Sequence, residues 1–205
     1  MAAARNLPLP EVTHSIAIDA SFSASPAGIV VGYGDTVNFT NNSGSDITVQ
    51  FLSNSPGQAL YPSMGLPVSN GSSAGFQVPS VDCAANYNIQ VNGVVENSQP
   101  FVIQVGNGPM YVLITGTISD PDFEPGTVAV PLGNITTGLG MLQMKSQVPN
   151  IVFPLSWGSD PFNPGFSQSG PAQPVKTGTT PGEYSYSGTN SPRERAGGGR
   201  VIIQN

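Results

Sequence analysis

Two side chains in this chain could serve as a nucleophile, a base or a soft metal ligand, because it contains one histidine, His14, and one cysteine, Cys83. A nucleophilic pair would also need an acidic group to orient the imidazole, and the sequence indicates none beside either residue. A single cysteine excludes an internal disulfide and any site built from several thiolates. We predict that His14 is a surface or packing residue and that Cys83 is a small, buried, inert one.

A second chemical candidate is a group of three carboxylates, Asp120, Asp122 and Glu124. Their spacing places them on one face of an extended segment. There they could act as paired carboxylates in hydrolysis or as oxygen ligands for calcium. The chain lacks the D-x-[DN]-x-[DN]-G pattern of a calcium loop. We therefore interpret residues 119–124 as a polar turn, and we predict no catalytic residue, no metal site and no cofactor.

The charge balance narrows the possible partners. Six Lys and Arg stand against twelve Asp and Glu, for a net charge of −6. Such a surface attracts phosphate backbones weakly, so we expect no nucleic acid, and no apolar run is long enough for a membrane span. Arg193, Arg195 and Arg200 lie in or beside the last loop. We predict that they and the acidic group at 120–124 contact another subunit or a protein partner; the alternative is a solvated hairpin tip.

Composition and periodicity indicate the elements that would position these residues. Charged residues make up 9% of the chain, and it contains 25 Gly and 20 Pro, which is typical of an all-β protein with many turns. Apolar and polar or small residues alternate at 15–19 and 47–51, as in half-buried strands, and residues 101–105 are predicted to form a further strand. No segment shows helical periodicity. Residues 53–75 and 138–149 are expected to form long loops.

The strand pattern of the first half returns in the second. In a self-alignment of the sequence, residues 125–134 align with residues 26–35 and Val201 aligns with Val102, both at an offset of 99 residues. Tyr184 falls close to the position that aligns with Tyr87. Constant offsets indicate an internal duplication.

We accordingly predict an extended arm at 1–13 and β-sandwich domains at 14–107 and 108–205. Proline at two positions of the arm favours an extended chain. Its segment Leu7, Pro8, Leu9, Pro10 is expected to pack on a neighbouring subunit; the alternative is a frayed terminus.

The pattern P-x-x-I-x-V-x-x-G-D-x-V-x-F-x-N in the first half resembles the cupredoxin family. Its residues here are Pro26, Ile29, Val31, Gly34, Asp35, Val37, Phe39 and Asn41. A weaker copy in the second half consists of Pro125, Val128, Val130, Gly133 and Asn134. The resemblance implies an all-β chain of two tandem Greek-key β-sandwich domains. An immunoglobulin-like sandwich is the alternative.

The family's copper chemistry is not implied, because its ligands are missing. A blue-copper site needs two His and one Cys, often with an axial Met. The resemblance places the first His where this chain has Ile47. It places the other ligands in the last loop of each domain, here residues 92–100 and 188–199, and neither loop contains one. We expect both domains to be copper-free.

These observations favour a non-enzymatic structural protein that assembles by self-association or with a protein partner into a fibre, coat or surface layer. The alternative is a soluble extracellular module that binds protein or carbohydrate through the loops at 53–75 and 138–149. A third hypothesis, copper electron transfer, is disfavoured by the missing ligands. The first residues show no signal peptide. The low charge nevertheless favours an extracellular or particle-associated location.

Overall fold

The computed structural model describes residues 11–52, 60–61, 65–134, 138–189 and 198–205. Across these ranges the regular structure is entirely β, and no helix there is long and apolar enough to cross a membrane. The strands are β1 (Thr13–Ile18), β2 (Ala24–Ser25), β3 (Gly28–Val31), β4 (Thr36–Asn41), β5 (Ile47–Phe51), β6 (Gly65–Val68), β7 (Ser73–Gln77), β8 (Cys83–Val91), β9 (Val94–Val95), β10 (Phe101–Val105), β11 (Met110–Thr117), β12 (Asp120–Glu124), β13 (Thr127–Pro131), β14 (Gly133–Asn134), β15 (Gly138–Leu139), β16 (Met141–Ser146), β17 (Leu155–Trp157), β18 (Gln173–Pro174), β19 (Gly182–Gly188) and β20 (Gly198–Gln204).

The first ten strands form two sheets that enclose one core. One sheet has the order β2-β1-β4-β7, and the other has the order β3-β10-β8-β5-β6 with β9 paired to β8. Two pairs are parallel, β1 with β4 and β3 with β10, and the others are antiparallel. Phe39, Tyr87 and Ile103 are fully buried between the sheets.

The second ten strands repeat this arrangement. Their sheets have the orders β12-β11-β16-β18 and β13-β20-β19-β17, and β14 and β15 form a short ribbon. The parallel pairs are β11 with β16 and β13 with β20. Parallel pairs in every main sheet differ from the antiparallel sheets of an immunoglobulin-like domain. The predicted all-β fold of two tandem Greek-key β-sandwiches is therefore confirmed, in its cupredoxin-like form.

Alternating burial explains why these segments are strands. In β4, Val37, Phe39 and Asn41 point into the core while the residues between them are half-exposed. In β5, Ile47, Val49 and Phe51 do the same. A strand that alternates in this way buries one face and keeps the other in water, so the apolar pattern fixes its register.

Two polar residues of the cupredoxin-like pattern anchor turns. Asn41 is fully buried, and its Nδ2 donates to Ser45 O and Val68 O, both at 2.8 Å. Its Oδ1 accepts from the backbone N and the Oγ of Ser43. Asp35 plays a similar part before β4, where its carboxylate accepts from Gly32 N at 2.8 Å. These hydrogen bonds hold the turns on either side of β4.

The predicted long loops are wrong in part. The segment 53–75 contains β6 and the start of β7, and the segment 138–149 contains β15 and β16. Leu66 and Val68 of β6 are buried, as are Leu142 and Met144 of β16. Glycine and proline in and around these short strands obscured their alternation in the sequence.

The structure also corrects the alignment of the two halves near their tyrosines. Tyr87 pairs with Phe101 and is fully buried, whereas Tyr184 pairs with Val201 and is half-exposed. The counterpart of Tyr87 is Tyr186, which is 3% exposed and lies at the same offset of 99 residues that relates 125–134 to 26–35. The internal duplication itself stays a prediction.

Candidate functional site

The copper positions implied by the resemblance do not fit copper in the first domain. Ile47, at the place of the first His, is 3% exposed and packs in the core. Cys83 begins β8 at the end away from the loop at 92–100, and burial raises the pKa of its thiol to about 11. A thiol held protonated by burial is a poor metal ligand. Among the described residues no cluster of three or more His, Cys, Asp and Glu could hold a metal ion.

His14 has a partner that the sequence did not indicate. Its Nε2 lies 2.8 Å from Oδ2 of Asp35, because parallel β1 and β4 bring residues 21 apart together. Burial by itself would raise the pKa of Asp35, but hydrogen bonds from Val12 N, His14 and Gly32 N hold it below its ordinary value. His14, predicted to be a surface or packing residue, is partly buried and has a hydrogen-bond partner in Asp35. The pair fixes the start of β1, since Val12 N donates to Asp35 Oδ1 at 3.0 Å.

The three carboxylates of the second half lie on a strand and not in a turn. Asp120, Asp122 and Glu124 are exposed on β12, while Pro121 and Phe123 between them are buried. Because these two residues are buried, the segment that we predicted to be a polar turn forms the second strand of a hairpin with β11. The expected common face is confirmed. Because β12 is the outermost strand of its sheet, the carboxylates discourage pairing by a foreign strand.

The predicted basic cluster is only partly described. Arg200 lies on β20, and its Nη1 is 3.5 Å from Oε2 of Glu183 on the neighbouring strand, with both side chains exposed. An exposed ion pair of this kind contributes little to stability. Arg193 and Arg195 lie outside the described residues. So does the predicted arm contact, Leu7, Pro8, Leu9 and Pro10, which stays a prediction.

A buried, hydrogen-bonded amide lies between the two domains, and it was not predicted from the sequence. Asn86 on β8 is fully buried. Its Nδ2 donates to Ala129 O at 3.0 Å, and its Oδ1 accepts from Ala129 N at 3.2 Å. The same Nδ2 donates to Phe101 O at 3.2 Å. The amide thus joins β13 of the second domain to β8 and β10 of the first, as a strand neighbour would.

A second buried amide repeats this role. Gln104 on β10 is fully buried, its Oε1 accepts from Met141 N at 2.8 Å, and its Nε2 donates to Leu139 O at 3.0 Å. In the opposite direction, Gln204 Nε2 donates to Pro100 O at 2.8 Å. Asn205 O accepts from the backbone N–H groups of Ala27 and Gly28, at the start of β3. Buried amides that bond to backbone groups on both of their polar atoms, as Asn86 and Gln104 do, specify one arrangement of two packed surfaces.

Apolar packing accompanies these hydrogen bonds. Ala84 and Val102 belong to strands of the first domain, yet they are buried within the core cluster of the second. A Cβ at Gly28 would come within 3.1 Å of both Val102 and Gln204, so a larger residue does not fit there. Strand β10 is buried on both faces. Its residues are apolar except for Gln104, which is typical of a strand covered on both sides.

A cleft of about 570 Å³ opens beside this interface. Phe22, Glu96, Phe101, Pro181 and Asn205 are among its lining residues. Apart from Glu96, its lining residues are neutral polar or apolar.

Tyr61, the one aromatic residue of the predicted loop at 53–75, packs on Phe51 and Phe76 with ring centroids 5.9 and 5.4 Å away. It is a core contact and is not free to stack on a sugar.

Comparison with solved structures finds copper proteins at low similarity. A purple cupredoxin from Nitrosopumilus maritimus has 15% identity over 45% of this chain and 98% of that chain, with a TM-score of 0.35. A blue copper oxidase from Nitrosomonas europaea has 11% identity over 95% of this chain and 86% of that one, with a TM-score of 0.41. A copper-containing nitrite reductase from Thermus scotoductus has 14% identity over 95% and 62%, with a TM-score of 0.37. No protein-family model matches the chain, and no curated protein matches it. The strand order and parallel pairs of its own sheets make the chain an all-β protein of two tandem cupredoxin-like β-sandwiches.

Proposed function

We propose that this chain is a non-enzymatic structural subunit, in which two copper-free cupredoxin-like domains act as one stiff building block of a larger assembly. The observation that carries the proposal is the interface between the domains. Asn86 and Gln104 are fully buried there and hydrogen-bonded to backbone groups of the second domain. A block whose domains keep one relative orientation presents its outer surfaces at fixed angles, as a repeating array requires.

The chemistry of the described residues supports a surface role. The imidazole of His14 is engaged by Asp35, and burial makes the thiol of Cys83 a poor nucleophile. The ion pairs formed among the described residues do not include the exposed carboxylates of β12. We propose that these carboxylates and the basic residues Arg193, Arg195 and Arg200 lie on surfaces that contact other subunits or a protein partner.

Light scattering over a wide concentration range tests this proposal. The full chain and a variant without residues 1–10 are compared; residues 11–13 are kept because Val12 N is bonded to Asp35. The proposal predicts particles larger than one chain whose mass rises with concentration, and smaller particles when the arm is removed. A chain that stays monomeric at every concentration, with or without residues 1–10, would overturn it.

The cleft beside the interface favours a second candidate, a module that binds a small neutral ligand. Its volume of about 570 Å³ falls in the usual range of ligand sites. Thermal-shift measurements with neutral oligosaccharides and short uncharged peptides test it. A concentration-dependent rise in melting temperature that a Phe22→Ala substitution abolishes would support a binding module, and no shift with any of these ligands would remove it.

A further inference from the structure

Five sheet-edge strands of four or more residues occur in the described parts of the chain, and four of them are protected against pairing. Strands β6, β12 and β13 each contain a proline, at positions 67, 121 and 131. Strands β3 and β13 also lie at the interface between the domains, against one another. Proline and charge are the usual means by which an edge strand avoids a foreign strand.

Strand β7 is the exception. Its sequence is Ser-Ala-Gly-Phe-Gln, with neither a charged residue nor a proline, and it ends the sheet β2-β1-β4-β7. Ser73, Gly75 and Gln77 are exposed, while Ala74 and Phe76 pack against the core. A neutral strand of five residues at a sheet edge, without these devices, is suited to pairing with another strand.

The hydrogen-bond pattern shows which backbone groups of β7 point outward. One residue beyond each end of the strand, Asn41 N donates to Ser72 O at 2.9 Å and Val78 N donates to Asp35 O at 2.7 Å. Bonded pairs alternate along an antiparallel ladder, so Ala74 and Phe76 bond to β4. The backbone groups of Ser73, Gly75 and Gln77 are therefore directed away from the sheet.

We infer that two copies of this chain associate by antiparallel pairing of their β7 strands around a two-fold axis through Gly75. This contact depends on the proposed assembly role and specifies its first step. The strand is complementary to itself. Ser73 of each copy would face Gln77 of the other, no like charges would meet, and the missing side chain at Gly75 would relieve crowding on the axis. The pairing would add about six backbone hydrogen bonds and join two four-stranded sheets into one of eight strands.

Salt dependence separates this contact from an ionic one. Residues 14–107 contain five Asp and Glu and no Lys or Arg, whereas residues 108–205 contain five of the six basic residues. Two first domains brought together through β7 repel each other, so salt should strengthen their association by screening. A head-to-tail contact between the acidic first domain and the basic residues of the second would instead weaken in salt.

Sedimentation velocity at low and high salt tests the inference with three proteins: the full chain, Ser73→Lys/Gln77→Lys, and the control Ser156→Lys/Ser159→Lys. The control replaces two exposed serines by lysine, one on β17 and one just after it. Strand β17 is also an edge strand, but it is preceded by proline. The β7 variant places Lys opposite Lys twice across the axis. We expect it to dimerise at least about tenfold more weakly than the full chain and the control. We also expect the full chain to dimerise more tightly at high salt.

A cysteine variant gives a second readout that a loss of stability cannot imitate. In Ser73→Cys/Gln77→Cys, each new thiol faces the other position in the second copy, about 5.5 Å away between Cα atoms, which a disulfide can bridge. Mild oxidation should link two chains through these positions, while Cys83 stays buried and unreacted. Absence of this crosslink in a dimerising protein would overturn the β7 contact.

The remaining outcomes separate the contact from the proposed function. Assemblies that persist unchanged in the lysine variant would overturn the β7 contact and leave the structural role standing. A dimer that the lysines abolish, with no larger species at any concentration, would support the contact and contradict the array. A full chain that stays monomeric at both salt concentrations would overturn both.

Discussion

Replacing Asn86 by alanine removes the hydrogen bonds that tie the second domain to the first at Ala129. The substitution leaves Ala129 N–H and C=O without their side-chain partner and also takes a donor from Phe101 O. Each lost bond contributes about 1 kcal/mol, and a buried group left unpaired costs about 1–3 kcal/mol. Since Asn86 is fully buried, we expect a loss of about 3–5 kcal/mol in the free energy of unfolding.

Urea unfolding followed by two probes measures this loss. Far-UV circular dichroism reports both domains, whereas the fluorescence of Trp157, the only tryptophan, reports the second. With a slope of about 2 kcal/mol per molar urea, the midpoint should fall by about 1.5–2.5 M. The two probes should coincide in the native protein and separate in Asn86→Ala. The control Gln90→Ala, on the same strand but half-exposed, should change stability by less than about 0.5 kcal/mol.

A midpoint for Asn86→Ala within error of the native value would refute the reasoning. It would mean that water or a shifted backbone satisfies the groups of Ala129, and that the amide does not hold the domains together. Probes that already separate in the native protein would refute the single-block description directly.

Three further predictions concern stability, each measured by denaturant unfolding. The hydroxyls of Tyr87 and Tyr186 are buried without a partner among the described atoms, and burial raises the pKa of both. Each Tyr→Phe variant should therefore be as stable as the native chain or about 1 kcal/mol more stable. A loss of stability above about 1 kcal/mol would reveal a hidden hydrogen-bond partner. A Cβ at Gly199 would overlap the Tyr186 hydroxyl, so Gly199→Ala should lower the free energy of unfolding by more than about 2 kcal/mol. The control Gly158→Ala, whose Cβ meets open space, should lower it by less than about 1 kcal/mol. Equal losses in the two variants would disprove the clash. The lowered pKa of Asp35 adds stability that is present above its unfolded pKa of about 3.8 and lost as pH falls through the folded pKa. The gap between native and Asp35→Asn stabilities should therefore shrink below pH 4, and a constant gap would contradict the lowered pKa of this carboxylate.

The strands of the first domain were the part of the fold most open to prediction. The segments now seen as β1, β4 and β5 alternate cleanly, and the turn residues Asp35 and Asn41 lie where the cupredoxin-like pattern places them. Short strands such as β6 and β16 escaped because Gly65, Pro67 and Gly140 interrupt or flank too few apolar residues to show a period.

The interface between the domains could not be derived from the sequence. Asn86 and Gln104 are ordinary amides within strands, and nothing local in the sequence distinguishes a buried amide from a surface one. Their role depends on backbone groups of Ala129 and Met141, which lie 43 and 37 residues away. The partnership of His14 with Asp35 was hidden for the same reason, since it requires the parallel pairing of β1 with β4.

In this chain the sheet edges, and not the loops, are the candidate contact surfaces. In this chain the implied histidine position of the first domain is a buried isoleucine, and the domains are joined through strands β8, β10 and β13. The acidic strand β12 and the neutral strand β7 differ in their ability to pair with a strand of another molecule. Charge and Pro121 protect β12, whereas the outward edge of β7 is not paired with any strand in the described part of the chain.

Negative-stain electron microscopy of the purified full chain, over rising protein concentration, tests the central claim most directly. The account predicts particles built from a compact two-domain unit of constant shape, first as two-fold dimers and then as larger ordered assemblies. Particles in which the two domains take many relative orientations, or single units that never associate at any concentration, would contradict it.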